Sequence, residues 1–66
     1  MNQKKNKLKE IREKRNLSQE QLSEKSGISR VTISKLECGQ QKEVKVGTLL
    51  SLAQALNEKV ESIFFN

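Results

Sequence analysis

The stretch Ser18-Gln19-Glu20-Gln21-Leu22-Ser23-Glu24-Lys25-Ser26-Gly27-Ile28-Ser29-Arg30-Val31-Thr32-Ile33-Ser34-Lys35-Leu36-Glu37 decides the reading of this chain. Ser18 and Gln21 form a capping-box pattern, so a helix is predicted to start there and reach about Ser26. Gly27 supplies a left-handed turn without a Cβ penalty. Ser29 then caps a second helix that runs to about Glu37. Leu22, Ile28, Ile33 and Leu36 are apolar at the places where two crossed helices would have to meet.

Outward from this pair the chain stays helical. Residues 1–5 read as a mobile basic arm, and helix 1 is predicted from about Lys7 to Arg15, with Asn6 as its cap. Leu8, Ile11, Arg12 and Arg15 share one face of it. A charge on a core-facing stripe needs a partner or must reach outward. Arg15 can snorkel at the helix end, whereas Arg12 sits mid-stripe. Gly39 stops helix 3, and residues 40–45 form a polar loop. Helix 4 is predicted over Val46 to Leu56, with Val46, Leu49, Leu50, Ala53 and Leu56 at helical spacing and Asn57 as a left-handed stop. Val60, Ile63 and Phe64 make a short fifth helix, with Phe65 beside them. With no strand alternation, repeat or internal boundary, the expectation is one all-α domain over residues 1–66.

A chain of 66 residues holds one domain at most, and its core is marginal, so every apolar position counts. A hydrophobic share of 33% fits a small helical unit rather than a disordered chain. No apolar run approaches the ~20 residues of a membrane span. Lys4, Lys5, Lys7 and Lys9 are not followed by the apolar stretch of a signal peptide. Cys38 has no partner for an intrachain disulfide, which favours an intracellular, cytoplasmic setting. A redox-sensing role for this one thiol is a minor alternative to a plain packing or surface position. The chain lacks His, Asp, Tyr and Trp, has no Cys-His or Ser-His pair, and its glycines stand alone at 27, 39 and 47. Neither an enzyme nor a metal or other cofactor is expected.

The net charge of +5 favours a polyanionic partner. Its excess lies in residues 1–15, where Lys4, Lys5, Lys7, Lys9, Arg12, Lys14 and Arg15 face only Glu10 and Glu13. At 100° per residue, Ile33 and Leu36 define the inner face of helix 3, joined by Ser29 at the cap. Arg30, Val31, Ser34 and Lys35 take the opposite face, with two cations and no carboxylate. This is either an ordinary solvated face or one that enters a DNA major groove. In the second case Arg30 can bond bidentately to guanine and Val31 can touch a thymine methyl. Two capped helices about a corner glycine form a helix-turn-helix arrangement, which favours the second reading.

Three motifs extend the argument: Leu17-Ser18-Gln19-Glu20-Gln21-Leu22, Ser26-Gly27-Ile28-Ser29, and Thr32-Ile33-Ser34-Lys35-Leu36-Glu37. With Thr48-Leu49-Leu50-Ser51-Leu52-Ala53-Gln54-Ala55-Leu56 as a fourth helix, they resemble the Cro and lambda-repressor-like helix-turn-helix family of the xenobiotic-response-element type. The likeness covers about residues 7–65, so the chain is expected to be the complete domain. It implies a compact five-helix fold and a transcriptional regulator, a repressor, binding a palindromic operator in double-stranded DNA as a homodimer. Base readout is implied for Arg30, Val31 and Lys35. Phosphate contacts are implied for Gln19, Ser29, Thr32, Ser34, Lys42 and Lys45, and a structural ion pair for Arg12 with Glu37.

The C-terminal cluster Ile63, Phe64 and Phe65 is the candidate dimer region, with Phe65 the exposed member. A prokaryotic or phage origin is implied, and no small-molecule ligand. An antitoxin-like interaction module and a non-specific nucleic-acid binder are the alternatives. Departures from the family pattern stand at Ser23 and Ser26, at Val44-Lys45 where Pro-Ser is usual, at Asn57 where glycine is usual, and at Glu58-Lys59. The loop geometry before helix 4 is where they weigh most.

Overall fold

The caps read from the sequence set where the chain turns in the computed structural model, which describes residues 6–41 and 43–65. Five helices follow one another, α1 (Leu8–Lys14), α2 (Gln19–Ser26), α3 (Arg30–Glu37), α4 (Val46–Leu56) and α5 (Val60–Phe64), with no strand among the described residues. At the start of α2 the Ser18 Oγ accepts from the Gln21 backbone N–H at 3.0 Å, and the Gln21 side chain accepts from the Ser18 N–H at 2.8 Å. The capping box is complete. Gly27 ends α2 at φ +79°, and Ser29 caps α3 by accepting from the Thr32 N–H at 3.2 Å.

A Cβ added at Gly27 would meet nothing within 4 Å, so strain in the left-handed backbone is all that opposes alanine there. Gly27→Ala is therefore expected to cost about 1–2 kcal/mol, seen as a lower urea midpoint with an unchanged slope.

Helix α1 is one residue shorter at each end than its sequence pattern suggests, with Lys7 and Arg15 as its flanking caps. Asn6 accepts from the Leu8 N–H at 3.0 Å, and its amide also donates to the Leu36 carbonyl at 3.0 Å. One side chain thus ties the start of α1 to the last turn of α3. Asn16 leaves α1 at φ +59°, a left-handed exit that carries no glycine to announce it. Asn57 takes the predicted left-handed stop after α4, and Lys45 begins α4 without a side-chain cap.

Helix α2 lies against both α3 and α4, α1 packs on α3 and α5, and α4 on α5. Their shared core is Leu8, Ile11, Leu22, Ile33, Leu36, Leu52, Ala53, Leu56 and Ile63. In α4 the buried stripe differs from the expected one. Val46 and Leu50 are exposed, at 69% and 46%, while Leu52 is fully buried. Two apolar stripes at helical spacing overlap in this helix, one through 46, 49, 50 and 53, the other through 49, 52, 53 and 56. Periodicity allows both, and packing against α2 and α5 selects the second.

Candidate nucleic-acid interface

Helix α3 turns Ile33, Leu36 and Glu37 inward and leaves Arg30, Val31 and Lys35 exposed. Val31 is 63% exposed. Ser34 and Thr32 are half-buried at the edges of this face, and Ser29 is exposed rather than part of the inner face. The Ser29 hydroxyl donates to Thr32 Oγ1 at 3.0 Å while accepting from the Thr32 N–H. The Thr32 hydroxyl accepts in that pair, so its own proton remains available to an outside acceptor.

Arg30 shares a shallow depression with Ser18, Gln19 and Glu20 at the start of α2. The backbone N–H groups of Gln19 and Glu20 belong to the first turn of α2, where no helical carbonyl precedes them, and they have no partner among the described residues. Free N–H groups and the positive end of the helix macrodipole suit a phosphate. A cation able to reach base edges and a helix end able to hold a phosphate therefore lie side by side.

Behind this face stands a buried ion pair. Arg12 Nε donates to Glu37 Oε2 at 2.6 Å and its Nη2 to Oε1 at 3.2 Å, with both residues only 8% exposed. Its Nη1 donates to the Leu17 carbonyl at 2.7 Å. Gln19 Nε2 completes the set by donating to Glu37 Oε1 at 3.0 Å. The hydrogen bond to Glu37 raises the pKa of Arg12 above its ordinary value, outweighing the desolvation that opposes it. No buried side-chain nitrogen or oxygen among the described residues lacks a partner.

Arg15 is exposed at the end of α1 but not idle. Its Nε donates to the Leu56 carbonyl at 2.9 Å, and its Nη2 meets Glu58 at 3.0 Å, closing the end of α4. Ser26, one of the departures from the family pattern, accepts from the Ile28 N–H at 3.1 Å in the corner. Lys45 is exposed at the start of α4, whereas Lys42 and the arm of residues 1–5 lie outside the described residues. Cys38 is exposed as the C-cap of α3.

Two features escaped the sequence. The Gln19–Glu37 bond joins residues 18 positions apart on different helices, beyond any spacing rule. Of the apolar surface formed by Val46 and Leu50 on α4 and Phe65 at the end of α5, the sequence pointed to Phe65, while the share of α4 was signalled only by its apolar excess. Ile63 is fully buried and Phe64 half-buried, so Ile63 is not available to a dimer interface. Among the described residues there is no metal-binding group of His, Cys, Asp and Glu, and no helix is long and apolar enough to cross a membrane.

The family model described as helix-turn-helix matches residues 8–63. The crystal structure of the restriction-modification controller protein C.AhdI from Aeromonas hydrophila is similar at 36% identity and a TM-score of 0.80, covering 88% of this chain and 86% of that one. Among curated protein sequences nothing matches the chain.

Proposed function

Since the chain belongs to the helix-turn-helix family of the xenobiotic-response-element type, we propose that it is a sequence-specific transcriptional regulator of double-stranded DNA, a repressor that acts by occupying promoters. The observation that carries this reading is the outer face of α3. It exposes Arg30, Val31 and Lys35 with no carboxylate on that face of the helix, and Arg30 borders Glu20 and the free N–H groups that open α2. Placed in a major groove, Arg30, Val31 and Lys35 read base edges. Gln19, Ser29, Thr32, Ser34, Lys45 and Lys42 hold the flanking phosphates, and the net charge of +5 makes affinity salt-dependent. The likeness to a restriction-modification controller supports promoters of restriction and modification genes as the first targets to try.

Selection from a random duplex library at near-physiological salt tests this. The expected result is a motif of two inverted half-sites with centres about 34–36 Å apart. Retention of DNA without an enriched motif would reduce the protein to a charge-driven binder and overturn the reading.

The two half-sites require a dimer, and the proposed interface is the surface of Val46, Leu50 and Phe65, the last 67% exposed. It lies on α4 and α5, leaving the outer face of α3 free for DNA. A two-fold interface must be self-complementary, and the groove beside these residues has both signs on its rim in Lys59, Glu58 and Glu61. Leu50→Lys is expected to give a folded monomer at concentrations where the wild type sediments as a dimer. A wild type that stays monomeric at several hundred micromolar would refute this interface.

A further inference from the structure

We infer that Glu37 is a positioning residue for DNA binding, holding Gln19 in place against the phosphate backbone; this rests on the DNA-binding reading above. Glu37 closes α3 and Gln19 opens α2, so one hydrogen bond joins the end of the base-reading helix to the proposed backbone clamp. An ionised carboxylate only accepts, so the amide of Gln19 must turn its nitrogen toward Glu37. That choice leaves the second Nε2 proton and the two free backbone N–H groups of the first turn as donors at one place. A glutamine free to rotate would have to be ordered when the phosphate arrives, a cost that the bond to Glu37 removes beforehand.

Arg12 is the necessary third member. A carboxylate this close to a phosphate site would repel the ligand unless neutralised, and the bidentate bond from Arg12 does that inside the fold. Arg12 also fixes the Glu37 plane, which sets where Oε1 points. The three side chains come from α1, α2 and α3, so the spacing between clamp and reading head is held by hydrogen bonds and not by packing alone.

A binding cycle tests the assignment on the wild type's selected operator duplex. Glu37→Met is made together with Arg12→Met, which removes the acceptor without leaving a buried charge alone and keeps the net charge unchanged. Gln19→Ala is then introduced into both backgrounds, with helix content followed by circular dichroism. In the wild type, Gln19→Ala is expected to weaken operator binding about tenfold per half-site and so about a hundredfold for the dimer, the loss of one donor to a charged acceptor in each protomer. In the paired-methionine background it should add less than about twofold per half-site, because the amide is already unaligned. An equal loss in both backgrounds, or an unchanged affinity for the methionine pair, would overturn the positioning role while leaving DNA binding intact. A wild type that selects no operator would remove the sequence-specific reading on which the inference rests.

Should the methionine pair fail to fold, the side-chain amide of Gln19 in the wild type settles the point by NMR. The proton bonded to Glu37 should keep its shift and protection on adding operator DNA, while its geminal partner moves. Loss of the Glu37 bond in the complex would overturn the inference.

Discussion

Arg12→Ala is expected to lower the stability of this domain by about 3–5 kcal/mol, the cost of leaving a buried carboxylate without its cation. Small domains have total stabilities toward the lower end of about 5–15 kcal/mol, so the variant should be partly unfolded at physiological temperature. Glu37→Ala should cost a similar amount for the converse reason, with the Arg12 guanidinium then facing only the Leu17 carbonyl. Replacing both by methionine is expected to recover most of the loss. The desolvation of two charges disappears with their attraction, and methionine fills an irregular gap well.

Recovery should be incomplete, since the Leu17 carbonyl and the Gln19 amide each lose a partner. Both residues are half-buried, so water can replace much of what is lost. Urea denaturation of the wild type, Arg12→Met, Glu37→Met and the methionine pair measures the coupling directly. A doubly substituted protein as unstable as the sum of the single losses would show that the residues act independently, against the geometry of the pair.

How much of this was readable beforehand follows the range of each signal. The capping box of Ser18 and Gln21, the left-handed Gly27 and the left-handed Asn57 are local, and a few adjacent residues determine each. The need of Arg12 for a partner was also local, because a cation in the middle of an apolar stripe is costly wherever the fold takes it. Its partner was not local. Glu37 lies 25 positions away on another helix, and only the resemblance to a known family pointed to it.

Asn16 shows a different failure. It takes φ +59° with a side chain that tolerates this conformation, yet asparagine is common enough in ordinary loops to give no warning. In α4 the pattern was ambiguous rather than silent, because six apolar positions supported two stripes. The exposed identity of Arg30, Val31 and Lys35 followed from the 3.6-residue period once Ile33 and Leu36 were placed inside. The bond that ties Gln19 to Glu37 could not follow from any period, since it depends on how α2 and α3 cross.

Arg30→Ala is expected to have the largest effect on DNA selectivity. A bidentate arginine–guanine contact discriminates against a wrong base by about 1–3 kcal/mol, and a dimer makes it once in each half-site. Across an operator the preference should therefore fall by about 2–6 kcal/mol, concentrated at one symmetric pair of positions. Arg30 is exposed, and its guanidinium has no hydrogen bond or ion pair among the described residues, so its removal should leave the fold intact. Lys45→Ala provides the contrast. As a phosphate contact it should weaken binding to every sequence alike and reduce the salt slope by about 0.9 per protomer. Repeating the selection with both variants separates the roles. Arg30→Ala should keep the half-site spacing and lose one base pair of each half-site, whereas Lys45→Ala should return the wild-type motif at lower affinity. If Arg30→Ala instead weakened all duplexes equally, the outer face of α3 would be a phosphate-binding surface, and base readout would have to come from elsewhere on the domain.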